Sequence, residues 1–89
     1  MTFRIDRSTR EDDTVVFTVS GEFGAGDAAG LQALLEPESG RRIVLDLRDL
    51  TLADRDAVGL LARCEADGAR LVNCPPYIRE WISRERDRA

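Results

Sequence analysis

Eighty-nine residues make one small domain, and a hydrophobic fraction of 43% supplies a core without staples. The formal charge of −4, with no basic stripe, argues against nucleic acid as a partner. All 13 basic residues are arginine and there is no histidine, which excludes histidine acid–base or metal chemistry, Schiff-base chemistry, a P-loop lysine and a lysine-dependent phosphoaspartate receiver site.

In chain order, Phe3 and Ile5 alternate with Arg4 and Asp6, predicting an edge strand over 2–7. Ser8 to Asp13 suits a turn. Val15, Phe17 and Val19 oppose Val16, Thr18 and Ser20, predicting a second strand over 14–20 that pairs with the first as a hairpin. Residues 21–26 read as a flexible loop, and Gly24-Ala25-Gly26 as a glycine-rich turn rather than a phosphate loop. Asp27 is expected to cap a helix over 28–36, with Ala28, Leu31, Leu34 and Leu35 inward and Pro37 and Gly40 ending it.

Residues 43–68 form the centre of the pattern. The aliphatic run 43–47 predicts a strand covered on both faces. A loop and an acidic helix start occupy 48–56, with Asp54 as N-cap, a stripe of Ala57, Leu60, Leu61 and Cys64, and Gly68 as the stop. Ala69 to Asn73 gives a further strand. Pro75-Pro76 opens a last helix over 76–85, with Ile78 and Ile82 on one face and Trp81 beside them. The charged end over 84–88 is expected to fray. The order β-β-α-β-α-β-α predicts an α/β fold with a mixed four-stranded sheet and helices packed on it, in one domain over 1–89. No run is long enough to span a bilayer and the start lacks a signal-peptide core, so no membrane insertion and a cytoplasmic location are expected. Cys64 and Cys74 are then expected to be reduced packing residues.

This order, with Ser20-Gly21-Glu22-Phe23, the stretch from Ile43 to Leu50, and Asp54-Arg55-Asp56-Ala57-Val58-Gly59, resembles the STAS domain of bacterial anti-sigma-factor antagonists over about residues 3–83. The resemblance implies a STAS-like fold, shortened at its C-terminal end, and a protein partner at the start of the second helix. Family members read Gly-Glu-Leu-Asp after the second strand and Asp-Ser-Ser-Gly at that helix start, where a partner kinase phosphorylates the second serine. Here Gly24 replaces the first motif's aspartate. Asp54 matches the second motif's aspartate, Arg55 and Asp56 stand in place of the serines, and Ala57 replaces the glycine. The acceptor hydroxyl is therefore missing.

Asp56 has two readings: a permanent, phosphomimetic charge, or an ordinary helix-start acid contributing ~0.3–1 kcal/mol. Asp56, Gly59 and Arg63 share the outward face, where Gly59 admits close approach of another chain or packs on a neighbouring loop. Thr51 is the nearest hydroxyl to the missing phosphosite. Asp46 and Asp49 suit salt bridging to Arg48 or capping better than a metal site. Tyr77 and Trp81 are expected to cover the sheet edge or the core. The expected partner surface is Glu22, Phe23, Gly24, Thr51, Asp54, Arg55, Asp56, Gly59 and Arg63, with no catalytic residue, metal or cofactor. The expected partner is an anti-sigma factor of the serine-kinase type. Alternatives are a transport-ATPase subunit, or a nucleotide or small ligand at the 21–27 loop. Oligomeric state, a homodimer included, stays open.

Overall fold

The longest strand sets the frame of the computed structural model, which describes residues 3–38 and 40–87; Thr2 and Arg88, at the ends of two expected elements, lie outside them. That strand, β2 (Val15–Phe23), follows β1 (Phe3–Thr9) and precedes α1 (Ala25–Leu35) and a short 3-10 turn (Glu36–Glu38). Then come β3 (Ile43–Asp46), β4 (Leu50–Ala53), α2 (Arg55–Ala66), β5 (Arg70–Val72) and α3 (Pro76–Asp87). β1 runs antiparallel to β2 along one edge, Phe3 facing Gly21 and Thr9 facing Val15. On the other edge β2 pairs in parallel with two strands in succession: β3 from Val15 to Thr18, then β4 from Gly21 to Phe23. β5 extends the sheet beyond β3.

The sheet thus has five strands, not the expected four. The stretch 48–53 is not all loop. The Leu50 N–H bonds back to the Leu47 carbonyl at 3.1 Å, closing a tight turn, and the chain then resumes alongside β2. β2 itself runs through the expected loop to Phe23, with an irregularity between Gly21 and Glu22 where Gly21 adopts φ +88°.

Val15, Phe17, Val19 and Phe23 of β2 and Leu45 and Leu47 pack in one cluster with Leu31 of α1, Val58 and Leu61 of α2, and Ile78 and Ile82 of α3. Val16 and Val44 fall outside that cluster because alternate residues of a strand face opposite sides. The helices therefore share one side of the sheet, α2 between α1 and α3. The aliphatic run at β3 has helices on one face only, yet Val44 on the other face is 6% exposed, so both faces are covered as expected.

α2 ends as its sequence predicts: Asp67 caps it, Gly68 turns left-handed at φ +108°, and the Ala69 N–H reaches the Cys64 carbonyl at 2.9 Å. Leu34 corrects the expected inward face of α1, being 45% exposed. It sits ~100° round the helix from Leu35, beyond the stripe that an amphipathic helix buries. Cys64 is buried and Cys74 half-buried, both as free thiols whose pKa burial pushes up.

One ion cluster ties α2 to α3. Glu65 accepts from both Arg79 guanidinium nitrogens at 2.7 Å and from Arg86 at 3.0 Å. The Arg79 hydrogen bonds, more than those of Arg86, hold the Glu65 carboxyl at about 2. A carboxyl depressed on folding adds stability above its ordinary pKa and loses it as pH falls towards the folded value. Glu65→Gln is expected to cost about 1 kcal/mol at neutral pH, after allowance for the partly exposed arginines. The difference from the native chain should shrink below about pH 4.5 and be lost as pH falls through about 2 in urea titrations. Leu61→Ala, a fully buried truncation between sheet and helices, is expected to cost ~2–5 kcal/mol by the same measurement.

Candidate functional site

Pairing of β2 with β4 brings two helix starts together at the carboxyl ends of those strands. Phe23 faces Ala53 in register, and the Asp54 N–H donates to the Phe23 carbonyl at 3.1 Å. One residue further along each strand lie the N-caps Gly24 and Asp54, and α1 and α2 begin at the next residue. A Cβ at Gly24 would lie 3.8 Å from an Asp27 carboxylate oxygen and 3.8 Å from one of Asp54. Gly24 is thus flanked by two carboxylates above two sets of helix-start N–H groups.

Each carboxylate has a structural task. Asp54 is extended at ψ −178°, and its Oδ1 accepts from the Ala57 N–H at 2.9 Å, an N-cap as expected. Asp27 corrects its expected role. α1 starts at Ala25, so Asp27 is its third residue rather than its cap. Gly24 has no side chain to offer, and Asp27 reaches back to take the Gly24 N–H at 3.2 Å.

Asp56 is the second residue of α2, exposed, and its carboxylate makes no hydrogen bond or ion pair among the described residues. Since Asp54 does the capping, Asp56 is left with the field of the helix start. Arg55 and Arg63 are likewise exposed and without an ion pair among the described residues. Gly59 is not packed on a neighbouring loop: a Cβ there would meet only the Arg63 guanidinium, at 3.8 Å.

Three other expected contact residues stand differently. Phe23 is 1% exposed and stacks on Phe3 with ring centroids 4.9 Å apart, so it is a core residue and not a contact. Glu22 is exposed but alternates with Phe23, which turns it to the face of the sheet away from the helices, beside Leu52. Thr51 is committed: its hydroxyl donates to the Gly21 carbonyl at 2.9 Å and its carbonyl accepts the Tyr77 hydroxyl at 2.7 Å. Asp46 accepts from the Arg48 N–H and the Asn73 amide, a capping role. Among the described residues no group of three acidic, histidine or cysteine side chains is arranged to hold a metal.

Sequence reasoning missed Leu52 as a surface feature of this end, 56% exposed. Both aromatic residues of α3 stand as expected: Trp81 packs on the core, and Tyr77, 48% exposed, bonds through its hydroxyl to β4 at the sheet edge.

No family model and no curated protein matches the sequence. Solved structures do match. One is described as an anti-sigma-factor antagonist, a STAS domain from Rhodobacter sphaeroides, at 16% identity over 80% of this chain and 86% of that one, with TM-score 0.66. The anti-sigma factor antagonist SpoIIAA in its unphosphorylated form matches at 23% over 92% and 82%, with TM-score 0.68. The Bacillus cell fate determinant SpoIIAA in its phosphorylated form matches at 22% over 93% and 82%, with TM-score 0.61. The fold is that of a STAS domain.

The two helix-start acids should separate on mutation. Asp54→Ala removes the cap and is expected to lower stability by about 1 kcal/mol. Asp56→Asn should change it by no more than ~0.5 kcal/mol, both read as shifts in urea midpoint at constant slope.

Proposed function

We propose that the chain is a non-catalytic protein-binding module of the anti-sigma-factor-antagonist kind, in which Asp56 stands in place of a phosphorylatable serine. The likeness of fold supports the kind of module. The observation that carries the reading is the Asp56 carboxylate, exposed at the start of α2 with no bond to the rest of the fold among the described residues. A phosphoserine brings about two negative charges and three acceptor oxygens; an aspartate brings one charge and two. Asp56 therefore gives a permanent, partial version of a modified helix start. A kinase acting there would find no hydroxyl, and the hydroxyl of Thr51, the nearest one in sequence before it, donates to the Gly21 carbonyl.

The chemical inventory supports the absence of catalysis. There is no histidine or lysine to serve as a base, and both thiols are shifted up by burial. The contact surface comprises Gly24, the first turn of α2 with Asp54, Arg55 and Asp56, and its outward face through Gly59 to Arg63. Its partner is an anti-sigma factor of the serine-kinase type.

Affinity capture from lysate with the native domain and with Asp56→Arg, both identified by mass spectrometry, tests this. The native bait should retain such a factor and the variant should lose it at least tenfold, with unchanged thermal midpoint. Capture of a transport-ATPase subunit instead would identify an accessory subunit. Identical proteins on both baits, or none, would reject the surface. Gly59→Ala is expected to raise stability by ~0.5–1 kcal/mol, since the added methyl meets only a flexible arginine, while weakening capture if that face is in contact.

A further inference from the structure

A second surface lies at the opposite end of the sheet, on the face that carries no helix. There a shallow concavity of about 530 Å³ has a floor of Val44 and Val72 and is ringed by Arg10, Arg42 and Arg70. The elements fix all three arginines. Arg10 closes the β1–β2 turn through its N–H to the Thr14 carbonyl at 2.8 Å. The Arg42 carbonyl accepts from the Val15 N–H at 2.9 Å, just before β3. Arg70 opens β5, directly beside Val44.

The three guanidinium groups are exposed, and none makes an ion pair or a side-chain hydrogen bond among the described residues. This contrasts with Arg4, Arg7, Arg41, Arg79, Arg84 and Arg86, each held by a carboxylate. The one acid lining the concavity, Asp12, is engaged by the Thr14 N–H at 3.1 Å and acts on Arg42 only through its field. Glu11 and Asp13 belong to the same turn but do not line the hollow. Three cations therefore face one committed carboxylate, in a chain whose formal charge is −4.

We propose that this concavity binds an extended acidic segment of a protein, its carboxylates on Arg10, Arg42 and Arg70 and an apolar side chain on the Val44–Val72 floor. Guanidinium forks match carboxylates two bonds at a time. The arginines come from the β1–β2 turn, the approach to β3 and the start of β5, so an extended segment that reaches all three crosses the strands at this end of the sheet. A short segment responds to the local arginines, since fields beyond ~8 Å are screened at physiological salt. A nucleic-acid duplex or an anionic membrane spreads over a wider surface, where the chain's net negative charge repels it. This surface is at the other end of the strands from Asp56, so it stands whether or not the reading of that site does.

The probe is a fluorescein-labelled peptide alternating glutamate and valine, with binding followed by anisotropy at two salt concentrations. The native chain should bind it, and more weakly at the higher salt. Arg42→Gln/Arg70→Gln should weaken binding at least tenfold, and Arg10→Gln alone several-fold. The charge-matched Arg48→Gln/Arg84→Gln and the remote Asp56→Arg should stay within twofold. Equal weakening by both double variants, or no binding by the native chain, would overturn the proposal. Tighter binding of a DNA duplex or of phosphatidylserine vesicles through the same arginines would overturn the choice of an acidic segment. Thermal midpoints of the variants accompany each titration, and the Arg10→Gln turn variant decides the matter if the double variant unfolds.

Discussion

The hydrogen bond from the Asp54 N–H to the Phe23 carbonyl is the constraint on which this end of the molecule depends. It closes the β2–β4 ladder at the point where both strands give way to helices. Because the strands are parallel, both helix starts emerge on the same side, and Gly24 and Asp54 become neighbours although thirty residues of chain separate them. Asp54 then spends its side chain on its own helix, which leaves Asp56 as the acid of that turn with no hydrogen bond or ion pair among the described residues. Capping and the exposed charge are thus separate tasks carried by residues two apart.

Much of this was legible in the residues. The aliphatic run from Ile43, the capping Asp54 and the terminating Gly68 each state a local rule, and the structure obeys all three. β4 was not legible. Its four residues follow a charged turn at Arg48 and Asp49, and both Thr51 and Leu52 are exposed, so no burial alternation marks it as a strand. Only its pairing with β2, a non-local event, makes it one. Phe23 was misplaced for a related reason. Its stacking partner Phe3 lies on another strand, and the glycines around Phe23 suggested a loop. Leu34 and Leu35 are chemically alike, and only the angle between them decides that one is covered.

A sheet with helices on one side leaves its other face to be managed by side chains. Val16 and Val44 on that face are nevertheless only 8% and 6% exposed. With no lysine in the chain, every side-chain cation here is a planar guanidinium fork.

The bond from the Tyr77 hydroxyl to the Thr51 carbonyl has a consequence for β4. β4 carries the chain into Asp54, and it is tied to the first turn of α3 by a residue more than twenty positions later in the chain. The stretch that contains α2 and β5 is thereby closed at both ends, so a shift of the start of α3 is felt at the strand that leads into α2.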